Sequence, residues 1–344
     1  MKRRDFLKIG GMGAAGSVAA TAGLMAWSPP SEAAQTVIVN LTAVKGNKAM
    51  VDGVSVPTFT YSSNTTPMLP GPLITCQAGD TIQLMLKNTL ATPVRFVVRR
   101  TSVALTVPAG GTQSLSFAAP APGTYLYYDD QNSGVNRIMG LHGALVVMPT
   151  SVKNKSFIGG LAFVRQYKWV ISTIDPVWGN LVATNGDAYV SSISSTSFMP
   201  RYFLLNGNSF DLTHEENTVL SGNVGDVCLV RLINAGGMVN SPHFHANHVN
   251  IISVNGTNYA AGLKKKDVVS MFPLDVKDVI YPFNTPPDAY PAISGLQHYP
   301  MHCHSEMSQT AGGGLYPHGL HTGITFGEAP LVESDLQQAV AALP

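Results

Sequence analysis

Gly79-Asp80-Thr81-Ile82-Gln83-Leu84-Met85-Leu86-Lys87-Asn88 and Gly225-Asp226-Val227-Cys228-Leu229-Val230-Arg231-Leu232-Ile233-Asn234 are two copies of one template. Each begins with a Gly-Asp turn, continues as a strand whose apolar residues alternate with period two, and closes on Asn. Alternation of that period sends one face of a strand to a core, and two copies predict two like domains. The halves align further. A tyrosine-led strand and a Gly-Leu-His triplet end each one: Tyr125 to Asp130 with Gly140-Leu141-His142, and Tyr299 to His304 with Gly319-Leu320-His321. His302-Cys303-His304 therefore stands where the first half has Tyr128-Asp129-Asp130. Pro242-His243-Phe244-His245 matches Val94-Arg95-Phe96-Val97 if two extra residues are granted to the second copy.

Composition agrees with an all-β chain. Gly (33) and Pro (23) are frequent, β-branched residues abound, and helical periodicity is scarce outside the N-terminus and a tail near Ser334 to Ala342. Charge is sparse, at 12% of residues and a formal +1, which leaves no electrostatic footprint for nucleic acid or an acidic membrane. Beyond the N-terminus, Lys264-Lys265-Lys266 is the only run of three basic residues and reads as a solvated loop. Three cysteines, Cys76, Cys228 and Cys303, cannot all pair within the chain, so at least one stays free or serves as a ligand.

Lys2-Arg3-Arg4-Asp5-Phe6-Leu7-Lys8, followed by an apolar run from Ile9 to Trp27 and by Ser31-Glu32-Ala33, reads as a twin-arginine export signal. The mature chain is expected to start near Ala34, in the periplasm or outside the cell; a membrane anchor is the alternative. The resulting division is a signal over 1–33, a first domain over 34–150 and a linker with the opening strands of the second domain over 151–200. The second domain follows over 201–330, with a tail over 331–344.

At Pro70-Gly71-Pro72-Leu73-Ile74, Pro108-Ala109-Gly110-Gly111, Pro122-Gly123-Thr124-Tyr125 and above all His302-Cys303-His304, the chain resembles the multicopper oxidases. That resemblance implies two cupredoxin-like Greek-key barrels or sandwiches and copper as the cofactor. It implies His243, His245, His302 and His304 as metal ligands of a trinuclear-type site, with Cys303 on the other strand face at the type 1 position. The residues by themselves leave Cys303 open as either a ligand or a small buried hydrophobe.

Three departures stand against a complete copper set. Asn240 occupies the place of a type 1 histidine. After Cys303 come Ser305, Glu306, Met307 and Ser308 instead of the second type 1 histidine, and a Gln309 to Gly314 insertion follows, with His318 beyond it as the alternative ligand. The first domain offers Arg95-Phe96-Val97 and Tyr128-Asp129-Asp130 where two His-x-His pairs belong, which suggests that an ion pair of Arg95 or Arg99 with Asp129 or Asp130 fills that cavity. His248, Met301 and Met307 are further soft or imidazole donors near the motifs, whereas His142 and His321, at equivalent places, read as fold residues.

The expectation is an exported, copper-binding, redox-active protein with a reduced copper set, taking electrons from a small molecule or a protein. No catalytic residue is assigned, and oxidase activity carries over only in part. A homotrimer is what two-domain relatives imply. The alternative is a non-catalytic scaffold or copper-handling protein of the cell envelope.

Overall fold

The computed structural model describes residues 34–150, 152–209, 218–286, 295–327 and 334–343. The export signal falls outside them. Glu32–Pro344 forms one compact unit, built from two β-sandwiches in tandem.

The first sandwich contains β1 (Thr36–Ala49), β2 (Ser55–Ser62), β3 (Gly71–Gln77), β4 (Thr81–Asn88), β5 (Val94–Val98), β6 (Ala104–Val107), β7 (Thr112–Ala118), β8 (Gly123–Tyr128) and β9 (His142–Met148), with a short helix α1 (Val135–Ile138) before β9. Its sheets run β2-β1-β4-β7 and β3-β9-β8-β5-β6. Between them lies a core that includes Leu41, Phe59, Leu84, Phe96, Tyr127 and Leu145.

The second sandwich contains β10 (Arg165–Ile174), β11 (Tyr202–Leu205), β12 (Leu220–Gly222), β13 (Val227–Asn234), β14 (Pro242–Phe244), β15 (Val249–Val254), β16 (Thr257–Asn258), β17 (Lys264–Lys266), β18 (Val276–Pro282), β19 (Gln297–Cys303) and β20 (His321–Phe326). Its sheets run β11-β10-β13-β18-β15-β16, with β17 on β15, and β12-β20-β19-β14. The strand pairing repeats the first half. β1 lies parallel to β4 and β10 to β13, while β3 lies parallel to β9 and β12 to β20. Parallel neighbours that are not consecutive in the chain demand long crossovers, the mark of Greek-key topology.

The two template copies show why those residues recur. Gly79 and Gly225 have φ of 94° and 100°, a region open to glycine because it lacks a Cβ. Asp80 then accepts from Gln35 N (2.9 Å) and Gln77 N (2.8 Å), and Asp226 from Asn223 N (3.0 Å) and Arg165 Nη2 (2.5 Å). The closing asparagines tie down the loops beyond them. Asn88 Nδ2 donates to Thr92 O at 2.8 Å and Pro108 O at 3.1 Å, and Asn234 Nδ2 to Met238 O at 2.9 Å and Met271 O at 2.8 Å.

Two segments differ from the sequence reading. Residues 151–200 contain β10 as expected, but also a helix, α2 (Pro176–Asn185), whose Trp178 and Val182 join the first domain's core. The capping signals were in the sequence: Asp175 Oδ1 accepts from Val177 N at 2.8 Å, Pro176 opens the helix, and Gly186 ends it. The Lys264–Lys266 run is a short exposed strand on β15, not a loop. In the tail, α3 (Asp335–Ala341) packs on β10, where Asp335 pairs with Lys168 Nζ at 2.5 Å.

Candidate metal centre

β14 and β19 run antiparallel, with Pro242 opposite Cys303, His243 opposite His302 and Phe244 opposite Met301. Alternation then sorts the side chains. Phe244, Met301 and Cys303 enter the second core, and His243, His245, His302 and His304 share the other face. His243 lies 4.4 Å from His245 and from His304, and 5.2 Å from His302, between ring centroids. His245 Nε2 and His302 Nε2 are 3.1 Å apart, and ligating nitrogens of His243, His302 and His304 all lie within 4.8 Å of one another. The structure thus brings together all four histidines named from the sequence.

The backbone around them is pinned from several directions. His304 N donates to Ser241 O at 2.9 Å, Phe244 N to Asp267 O at 2.9 Å, and Tyr281 Oη to His245 O at 2.9 Å. Burial holds the His243 ring down at about 4, with the imidazoles of His245, His304 and His302 adding to the shift, and lowers His302 for the same reasons. Both rings are therefore neutral at pH 7, the form in which imidazole binds a metal. His243 Nδ1 and His302 Nδ1 are buried with no hydrogen-bond partner. Unpaired buried nitrogens in a cluster of neutral imidazoles are costly without a bound group. This donor set suits copper or zinc.

Cys303 lies apart from the histidines. Its Sγ accepts from Ser241 N at 3.0 Å inside the core. Asn240 and Ser308, the two departures read from the sequence, bond within the chain: Asn240 Nδ2 donates to Met238 O at 3.2 Å and Ser308 Oγ to Ser305 O at 2.6 Å. Met301 is fully buried, Met307 is exposed, and Cys76 and Cys228 pack as small apolar residues. His142 is buried between Arg137 O and Ser172 Oγ, each 2.8 Å from a ring nitrogen, which makes it a tie between the two sandwiches. His248 is exposed.

Sequence reading missed Asp267, whose Oδ2 stands 4.0 Å from His243 Nε2. It arrives through a bridge between His243 and Val268, a tertiary pairing with no local signal. The assumed two-residue gap in the repeat alignment is also corrected. Tyr128 opposes His142 as His302 opposes His321, while Val97 opposes Tyr128 as His243 opposes His302. The spacing between Gly79 and Gly225 therefore persists ungapped through β5 and β14. The counterparts of His243, His245, His302 and His304 are Val97, Arg99, Tyr128 and Asp130. An ion pair does occupy this end of the first domain, Arg95 Nη1 to Asp130 Oδ2 at 2.6 Å, beside Asp129 Oδ2, which accepts from Arg95 N at 2.8 Å.

Residues 44–152 match the multicopper oxidase family model. A search of curated proteins finds no match. Among solved structures, the blue copper oxidase from Nitrosomonas europaea is 21% identical, covering 85% of this chain and 86% of its own, with a TM-score of 0.68. The multicopper oxidase mgLAC is 22% identical over 86% of this chain and 88% of its own, also at 0.68. The copper nitrite reductase of Thermus scotoductus is 17% identical over 88% of this chain and 64% of its own, at 0.65. Over residues 44–152 the chain is thus similar to the multicopper oxidase model, and over most of its length it shares the two-domain, cupredoxin-like fold of these structures.

Proposed function

We propose that the protein is an exported, redox-active copper protein with a reduced copper set, held by His243, His245, His302 and His304. The observation that carries this reading is the convergence of four imidazoles from two paired strands on one face, with two buried ring nitrogens lacking any partner. When bound there, copper would supply one-electron chemistry. The chain's own part is to present neutral nitrogen donors, fixed by β14–β19 pairing and by the Tyr281 bond to His245 O, and to keep Asp267 at the edge as an anionic group. The reading extends to twin-arginine export, to a small-molecule or protein electron donor, and to a homotrimer, which light scattering of the mature protein would check.

A second reading, copper handling without turnover, draws on Asn240 and Ser308. Asn240 and Ser308, where the resemblance expects type 1 imidazoles, bond within the chain and offer no imidazole for electron entry. Copper loading of the mature protein, followed by metal analysis, electron paramagnetic resonance and turnover with a reductant, separates the two. Bound copper that cycles supports the first reading, and bound copper that stays inert supports the second. An intense blue colour would reassign Cys303 as a type 1 ligand, and absence of bound copper would overturn both.

A further inference from the structure

Arg99 and Arg100 form the centre of a tight turn leaving β5, in which Thr101 N and Thr101 Oγ1 donate to Val98 O at 3.2 and 2.8 Å. Arg100 adopts φ of 62°, a left-handed conformation that a bulky side chain seldom takes and that recurs at functional sites. Both arginines line a cavity of about 250 Å³ in the cleft between the two sandwiches. Tyr125 of β8 and, from the second domain, Asn255, Thr257 and Val276 form other parts of its wall. Among the described residues, neither guanidinium has an ion pair or a hydrogen bond, and Arg99 Nε is buried with nothing to receive its proton.

The carboxylates nearest this wall along the chain are already engaged. Asp278 receives Thr124 Oγ1 at 2.7 Å, Ser156 Oγ at 2.6 Å and Arg231 Nη1 at 3.4 Å. Asp275 receives Asn255 Nδ2 at 2.8 Å and Phe272 N at 3.0 Å, and lies 3.5 Å from Lys277 Nζ. Asp129 and Asp130, beyond Leu126, are held by Arg95, Asp129 through the backbone N at 2.8 Å and Asp130 through Nη1 at 2.6 Å, so among the described residues half-buried Arg99 and exposed Arg100 keep their charges without an ion pair. An unmet buried donor on a planar guanidinium calls for an acceptor, and the shape of that fork matches two oxygens of one anion.

We infer that this cleft binds a small oxyanion, a carboxylate or phosphate group, with Arg99 as its anchor and Arg100 as its second cation. The site shares no lining residue with the histidine cluster and does not rest on copper being bound there. In the repeat, Arg99 holds the place of His245, so one barrel position serves a cation in one domain and an anion in the other.

Calorimetric titration of the full mature chain with inorganic phosphate, and separately with succinate, at constant ionic strength set by chloride, tests this. The expected result is saturable one-to-one binding of at least one anion, weakened about tenfold or more in Arg99→Gln and less in Arg100→Gln. The tighter of the two anions identifies the ligand as a phosphate or a carboxylate. Absence of saturation by either anion up to about 10 mM overturns the inference. So does binding that Arg99→Gln leaves unchanged, which is the behaviour of an anion held at a copper centre instead. Should Arg99→Gln not fold, Arg99→Lys keeps the charge but loses the fork, and its affinity is expected to fall as well; wild-type affinity in that variant likewise overturns the assignment.

Discussion

β5 against β8 and β14 against β19 share one strand register, yet they carry opposite chemistry. In the second domain the outward positions hold His243, His245, His302 and His304; in the first they hold Val97, Arg99, Tyr128 and Asp130. The inward positions are conservative in character: Phe96 and Val98 enter one core as Pro242 and Phe244 are buried in the other. A strand end whose inner face is packed can change its outer residues freely, because the register is held by the core and by the ladder. The difference teaches that one strand register can present a four-histidine face or an ion-paired face on the same backbone.

The sharpest way to break that comparison is to write the first domain's residues into the second. His302→Tyr with His304→Asp reproduces Tyr128 and Asp130 while leaving the core untouched. Copper affinity is expected to fall by more than ~100-fold, since losing even an outer partner of a ligand costs ~10–100-fold. Metal content after dialysis reads the outcome, and retained copper would remove the histidine pair from the site.

A second contrast concerns the outer faces of the template strands. Met85 of β4 is 45% exposed, whereas Arg231, its counterpart on β13, is fully buried. Arg231 bonds to Gln166 Oε1 at 3.0 Å, Thr124 Oγ1 at 2.8 Å, Ser156 Oγ at 3.1 Å and Asp278 Oδ2 at 3.4 Å. Arg231→Met, which copies the first domain, leaves Asp278 buried and unpaired by charge. A loss of about 3–5 kcal/mol in urea unfolding is expected. A neutral result would mean that Asp278 takes up a proton at little cost.

His142 sharpens the comparison at the Gly-Leu-His triplets. Burial pushes its ring down to about 4, and the Arg137 carbonyl only partly offsets this. Above pH ~6.5 the ring is neutral in both states and native stability is complete. As pH falls towards 4 the unfolded chain takes up a proton that the native chain refuses, and stability declines by about 3 kcal/mol in total before levelling. Chemical denaturation at pH 7 and near pH 4, with His142→Gln as reference, should show this component vanish in the variant.

The smallest effect belongs to the ion pair at the first domain's strand end. Arg95 and Asp130 are 40% and 33% exposed on their side chains, so solvent screens them and Arg95→Ala is expected to cost about 0.5 kcal/mol. Two-state melting would detect a larger loss, which would show that the pair braces this strand end.

Much of the site was legible before the fold. Strand alternation put Cys303 on one side and His302 and His304 on the other, and the repeat announced two domains. The alignment gap hid Arg99 behind Arg95, although unbroken spacing from Gly79 and Gly225 was present to correct it. Asp267 and the pairing of His142 with Ser172 carry no local sign, since each joins strands far apart in the chain.

By itself, the sequence determined the all-β class, the Gly-Asp turns, the closing asparagines and the face on which each histidine stands. These follow from local sterics and from the two-residue period of a strand. Tertiary structure decided which outer faces stay wet. β4 alternates between buried and exposed along its length, but β13 is buried on both sides because the first domain's β8 and the segment after β9 close over its outer face. Period alone assigns an arginine outward. Only the packing of one sandwich on the other turned outward into buried, and left Arg99 and Arg100 facing the cleft that this packing made.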